Sequence, residues 1–330
     1  MTPSADSDLA ARFRAGDIRA LARAISLVER RDASVRALQQ PRGGKRKGGA
    51  AHVAGFTGAP GTGKSTLVDA LVALLRKQSR SVAVIATDPN SPFTGGAILG
   101  DRIRMQRHAL DPKVFIRSMG ARGHLGGLSL ATREAIRLLV AFGFDEVILE
   151  TVGVGQSELE VAAVADTTIV VLTPNLGDGV QMIKAGILEI ADIFVVNKAD
   201  LEGHLRVVME LRAMLSLNTQ RAHESGGPKP WKPPIITTVA ARQEGIEELW
   251  AAIEAHRRHL ESSGRANELA EKRLRDETGE VAAELARRAA REALDQDAAL
   301  AARLLDDGTP YGVAEEIIGR LGRARKPKGS

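Results

Sequence analysis

Gly58-Ala59-Pro60-Gly61-Thr62-Gly63-Lys64-Ser65, with Thr66 after it, follows an apolar run that ends at Thr57 and opens a helical pattern over 65–77. The stretch matches G-x-x-x-x-G-K-[ST] in sequence and in its strand-to-helix context. Its glycines let the backbone curl until successive N–H groups point at phosphate oxygens, and the helix N-terminus adds its dipole. Lys64 then reaches β- and γ-phosphates, and Ser65 holds a magnesium ion. A nucleoside triphosphate is the expected ligand.

Outward from this loop, short β-rich runs at 51–57, 81–87, 114–117, 144–150, 167–173, 192–197 and 235–239 alternate with helical stretches. Near-continuous apolar strands separated by helices are what a parallel sheet covered on both faces requires. The expected class is α/β, a doubly wound, mostly parallel sheet, with helical N- and C-terminal extensions. The expected parts are a helical segment 1–40, a basic Gly-rich linker 41–50, a nucleotide domain 51–262 and a helical extension 263–330. In the stretch 10–31, Ile18, Leu21, Ala22, Ile25 and Val28 recur at helical spacing, which predicts a helix packed by that face. From Gly245 onward the pattern is helical, with a long charged stretch at 265–297 and a short final one at 313–320.

Composition removes whole classes. The 330 residues are 44% hydrophobic and 26% charged, ordinary for a folded chain, and contain no cysteine, which excludes disulfides, thiolate clusters and cysteine nucleophiles. Aromatics are 3%, too few for a nucleic-acid stacking platform. The net charge of +5 is concentrated in Arg42, Lys45, Arg46 and Lys47 and in Arg320, Arg323, Arg325, Lys326 and Lys328. These nine exceed the net, so the rest is mildly acidic, with the basic residues read as a linker and a tail. No nucleic-acid partner is expected. No run of 18 apolar residues and no apolar leader core is present, and Asp6, Asp8 and Asp17 argue against a mitochondrial leader. A cytoplasmic protein without a membrane partner is expected.

Asn197-Lys198-Ala199-Asp200 follows an apolar strand, more than a hundred residues after the phosphate loop. An aspartate there accepts hydrogen bonds from guanine N1–H and its amino group, a pair that adenine does not offer, so GTP and GDP are favoured. Val239, Ala240 and Ala241 after the last strand can pack their backbone against the base. Asp88 and Glu150 close strands on the side of an open sheet where ligands bind. Glu150-Thr151-Val152-Gly153 takes the place of a D-x-x-G, whose glycine N–H senses the γ-phosphate. The polar, glycine-rich stretch 88–104 is too long for a tight turn and reads as a switch loop. In it Asp101 can complete the metal shell or cap a helix, and Arg104 can reach phosphate or form a surface ion pair. No residue is an obvious strong base, and Gln156 and the Glu150 region are candidates to position the attacking water. Of the seven histidines only His256 and His259 are close in sequence, and both are expected at the surface of a helix rather than as metal ligands.

About 86 residues separate Lys64 from Glu150, which calls for an extra strand and helix between them. Here the chain resembles the MeaB/ArgK family of P-loop GTPases, with its SIMIBI-type G domain. The resemblance is carried by 58–66, Asp88-Pro89, 95–102, Phe115-Ile116-Arg117-Ser118, 123–127, 150–158, Gly177-Asp178, Gln181, Ile183-Lys184 and 197–200, and it spans roughly 10–260. It implies a homodimeric GTPase that docks on a cobalamin-dependent acyl-CoA mutase, typically methylmalonyl-CoA mutase. Such a protein gates adenosylcobalamin delivery and protects the mutase, to which that cofactor belongs. It further implies magnesium at Ser65, Asp88, Asp101 and Glu150, Arg104 near the nucleotide, and a switch over 175–184 that relays nucleotide state through Asp178, Gln181 and Lys184. The C-terminal helices are similar to the family's dimer arm in character. The Gly- and Lys-rich entry at 39–51 and Asn90, where serine is common, depart from the family pattern. A GTP-dependent metallochaperone and a kinase of a transport-system binding protein are the rival readings.

Overall fold

The computed structural model describes residues 5–40, 51–88, 105–120, 130–151, 157–174, 188–223, 231–306 and 309–324. The chain divides into two compact units, 1–266 and 267–330. In the first, seven strands form one sheet: β1 His52–Thr57, β2 Val82–Asp88, β3 Val114–Gly120, β4 Glu146–Thr151, β5 Thr167–Leu172, β6 Ile193–Asn197 and β7 Ile235–Thr238. Their order is β3-β2-β4-β1-β5-β6-β7 and every pairing is parallel. Among the described residues, the α-helices of this unit longer than one turn are α1 Ala5–Arg14, α2 Ile18–Glu29, α3 Lys64–Lys77, α4 Leu130–Phe142, α5 Ser157–Ala162, α6 His204–His223 and α7 Ile246–Ser263. The seven apolar segments read from the sequence are these strands, and the fold is the doubly wound α/β class.

Strand alternation sorts the core into two layers. Val53, Ala83, Ile85, Val147 and Leu149 face α2 and α4, whereas Ala54, Phe56, Val82, Val84 and Ile148 share a cluster with α3 and α7. Every residue of β1, β4, β5 and β6 is buried, as expected of central parallel strands that need apolar side chains on both faces. Because every pairing is parallel, the C-terminal ends of the strands open on one side of the sheet, where the loop after β1 lies.

The stretch 10–31 is two helices rather than one. The chain turns at Gly16, whose φ of +85° is left-handed, and Asp17 caps α2 by accepting the N–H groups of Arg19 at 2.8 Å and Ala20 at 3.4 Å. The face expected from the spacing is the one that packs: Leu21, Ile25 and Val28 are buried with Ala20 and Ala24, and Ile18 and Ala22 lie against them.

The second unit contains most of α8 Arg265–Gln296, with α9 Ala298–Asp306 and α10 Tyr311–Ala324. No residue of α8 is buried, and the small core here is Leu300, Val313 and Ile317 against Ala290, Ala293 and Leu294. The sequence reading put Arg320 and Arg323 in a basic tail. Arg320 lies in the helix expected over 313–320, which runs on as α10 to include Arg323, and Arg320 pairs with Asp297 at 2.9 Å and with Glu316 at 2.6 Å. The linker 41–50 and the residues after 324 lie outside the described residues.

At the end of the sheet where the strands start, His256 is buried, contrary to the expectation that it is a surface residue. It lies on the α7 face that also buries Leu249, Trp250, Ile253 and Leu260. The Thr167 hydroxyl bridges His52 Nε2 and His256 Nδ1, at 2.8 Å each, while His256 Nε2 stands 3.3 Å from Asp192 and its ring packs on Trp231. Among the described residues, no group of three His, Asp or Glu side chains converges to hold a metal ion. Burial, with the nearby His52, His259 and Arg265, lowers His256 from 6.5 to about 3 despite Asp166, so the native ring stays neutral where the unfolded one charges. Its contribution to stability is complete above pH 6.5 and is lost as pH falls toward 3. Glu146 acts with the opposite sense: burial outweighs Arg80 and Arg257 and raises it to about 7, so its contribution declines as pH rises from 4.5 to 7. The expected outcome for His256→Asn is a protein less stable at pH 7 whose deficit shrinks by about 2 kcal/mol between pH 7 and pH 5. Urea unfolding of both proteins at the two pH values measures this, and a constant deficit would contradict the neutral buried ring.

Candidate functional site

The site is assembled at the C-terminal ends of β1, β2, β4, β6 and β7. After Thr57 the chain must pass the backbone of β5: a Cβ on Gly58 would lie 2.2 Å from the Val171 carbonyl oxygen, and Gly58 holds φ +138°. Only glycine fits that approach. The Thr62 hydroxyl closes the loop by donating to the Ala59 carbonyl at 2.9 Å. Lys64, the first residue of α3, folds back across the loop, and its buried ammonium donates to the carbonyls of Gly58 at 2.7 Å and Ala59 at 2.9 Å. A cation is thus held over the curl of backbone formed by Gly58, Ala59, Pro60, Gly61, Thr62 and Gly63, at a helix N-terminus.

Ser65, beside it, donates its hydroxyl to Glu150 Oε1 at 2.6 Å, joining the start of α3 to the end of β4. Both residues are buried. Parallel register sets Ala86 against Glu150 and Thr87 against Thr151, so Asp88, the last residue of β2, ends at the same side of the sheet. β4 runs one residue past Glu150, to Thr151, whose hydroxyl donates to the Thr57 hydroxyl at 3.2 Å. Asp101, Arg104, Gly153, Gln156, Asp178, Gln181 and Lys184 lie outside the described residues.

The 197–200 motif is tied to the phosphate loop. Asn197 at the end of β6 donates its amide to the Thr62 carbonyl at 2.8 Å, and its Oδ1 accepts from the Thr238 hydroxyl at 3.0 Å and the Ala240 N–H at 3.1 Å. One buried side chain therefore stitches together the loop after β1, the end of β6 and the turn after β7. Lys198, at φ +58°, donates to the Gly61 carbonyl at 2.9 Å. Asp200 remains partly open to solvent, with the Arg242 guanidinium 3.6 Å away. Val239 and Ala240 are buried and Ala241 is exposed. Sequence reading assigned Asn197 to the base without foreseeing the stitch, and it passed over Arg242. The signal was the short span from Ala241 to Gly245, in which a turn must bring its side chains back toward Asp200.

A family model described as "Methylmalonyl Co-A mutase-associated GTPase MeaB" matches residues 21–295. The chain belongs to the MeaB family. A relative from Pyrococcus horikoshii, named as a GTPase, is 46% identical over 321 residues, covering 95% of this chain and 98% of that protein. The mouse protein "Methylmalonic aciduria type A homolog, mitochondrial" is 38% identical over 224 residues, 66% of this chain and 51% of that one. A solved structure described as a LAO/AO transport system kinase superposes with a TM-score of 0.64 at 28% identity, covering 98% of this chain and 99% of that one. As a MeaB-family protein the chain is a P-loop GTPase, an enzyme that binds and hydrolyses GTP. No helix among the described residues is long and apolar enough to cross a membrane.

Proposed function

We propose that this GTPase is a homodimeric, nucleotide-gated chaperone of an adenosylcobalamin-dependent acyl-CoA mutase, with methylmalonyl-CoA mutase as the first candidate. The description of its family as mutase-associated carries the reading. The stitched site supports it, because a nucleotide bound there touches the phosphate loop, the Ser65–Glu150 pair and the base loop together. The cytoplasm is the proposed compartment. The proposed parts are those of the sequence reading, with the extension 263–330 as the dimer arm.

In this reading the backbone N–H groups from Ala59 to Thr66, all but Pro60, cradle the phosphates, and Lys64 moves its charged hydrogen bonds from the loop carbonyls to β- and γ-oxygens. Asp200 accepts from the guanine edge, and the backbone of Val239, Ala240 and Ala241 packs beside the base. Ser65 and Glu150 fit magnesium: a hydroxyl and a carboxylate 2.6 Å apart at a helix N-terminus are hard oxygen donors, with Asp88 and Asp101 to complete the set. The ion supplies neutralisation of charge on the phosphate oxygens. Gly153 senses the γ-phosphate, Gln156 orients the water, and Arg104 contacts the nucleotide. Intrinsic turnover is slow, and Asp178, Gln181 and Lys184 pass the nucleotide state to the mutase.

Affinity capture from native lysate, once with GDP and once with a non-hydrolysable GTP analogue, tests the partnership. The expected result is a cobalamin-dependent mutase subunit retained more strongly in one state. Capture of no such subunit in either state would remove the chaperone reading while leaving the GTPase intact.

A further inference from the structure

We propose that Arg242 is a positioning residue for guanine recognition, which acts by holding the Asp200 carboxylate. The inference rests on the reading of Asp200 as the guanine acceptor. The turn after β7 is closed by reciprocal backbone bonds, Val239 N–H to the Glu244 carbonyl at 3.1 Å and Glu244 N–H to the Val239 carbonyl at 3.3 Å. Arg242 and Gln243 inside it bond back to Val239 and Ala240 at 2.9 and 3.1 Å. Ala240 is in turn fixed to Asn197, so the turn and the base motif share one anchor. From this turn Arg242 engages Glu244 with two nitrogens, Nε at 2.8 Å and Nη2 at 3.3 Å. That leaves Nη1 free of Glu244 and 3.6 Å from Asp200 Oδ2, an ion-pair distance longer than a hydrogen bond. Asp200, Arg242 and Glu244 all line an open cavity of about 490 Å³ beside β7.

A planar guanidinium held by one carboxylate fixes the direction in which its remaining N–H groups point, which an ammonium cannot do. Glu244 thus orients Arg242, and the Arg242 charge biases the orientation of the Asp200 carboxylate through the ion pair. Guanine uses both oxygens of that carboxylate, for N1–H and for the amino group. Hypoxanthine, which lacks the amino group, uses one. Loss of the bias therefore weakens guanine more than hypoxanthine. Arg242 and Asp200 are 54% and 37% exposed at the side chain, which limits the effect to about fivefold and makes it salt-sensitive.

The test is titration of the full chain with fluorescent GDP and IDP. Wild type is expected to prefer GDP. Arg242→Ala should weaken GDP about three- to fivefold and IDP less than twofold, narrowing the preference, with unchanged thermal unfolding of the nucleotide-free protein. Arg242→Lys and Glu244→Gln should fall between, and the Arg242→Ala effect should shrink at high salt. In an Asp200→Asn background, Arg242→Ala should leave XDP binding unchanged, since the charged partner is gone. An unaltered GDP-to-IDP ratio in Arg242→Ala, or tighter GDP binding, overturns the proposal while the guanine reading stands. A wild type that binds IDP as well as GDP overturns both.

Discussion

Replacing Lys64 by alanine is expected to lower GTP turnover by about 10²- to 10³-fold and to leave the fold intact, the scale on which loss of one preorganised charge-stabilising donor acts. The two halves of that expectation have separate causes. Lys64 is the cation over the phosphate loop, and its present partners are the Gly58 and Ala59 carbonyls of the loop itself. In the proposed mechanism, removing it takes away the charge that follows negative charge developing on the γ-phosphate oxygens. The loop keeps its shape through contacts that do not involve the ammonium: Thr62 to Ala59, Asn197 to Thr62 and Lys198 to Gly61. Alanine is also well tolerated at the first turn of a helix. Phosphate release and thermal unfolding, measured on the same preparation, check both halves. Release at the wild-type rate would remove Lys64 from the chemistry, and loss of the folded state would show the loop to depend on it.

Asp200→Asn is expected to exchange one purine for another. The amide replaces one of the two acceptor oxygens by an NH₂ donor, so one of guanine's two donors now meets a donor, and GTP affinity falls by about 10²-fold or more. Xanthine carries a carbonyl where guanine carries the amino group, and that oxygen accepts from the new amide. XTP should therefore become the better substrate. The scaffold is not at risk, because Asp200 is partly exposed while the motif's bonds to the phosphate loop belong to Asn197 and Lys198. Competition between GDP and XDP on both proteins measures the exchange. A variant that still selects GDP would show that Asp200 does not read the base.

Legibility in the sequence divided along physical lines. The central strands were visible because a doubly covered parallel strand must be apolar on both faces, and that requirement is local. Strand order was not, since β4 lies between β1 and β2 through contacts that no short window contains. The phosphate loop and the 197–200 motif were visible because both are short and fixed in spacing. Their union through Asn197 and Thr62 was not, because it joins residues 135 apart. The Ser65–Glu150 bond has the same character across 85 residues. The helix break at Gly16-Asp17 was in plain view, a turn former followed by a capping aspartate, but the apolar period on either side concealed it. His256 was misplaced because its closeness to His259 suggested a surface pair. Its burial follows instead from the apolar α7 face it shares and from Thr167, a residue of β5.

The two tryptophans give this arrangement an optical consequence. Trp231 donates its ring N–H to the Asp192 carbonyl, just before β6, and Trp250 lies under the guanidinium of Arg80, just before β2. Both indoles therefore rest on residues at the end of the sheet where the strands begin, whereas the phosphate loop and Asp200 lie where strands end. Their emission is shielded from direct contact with a nucleotide. A change in intrinsic fluorescence on exchange of GDP for GTP would thus signify that the rearrangement has travelled the length of the strands, and a silent spectrum would confine it to the loops above them.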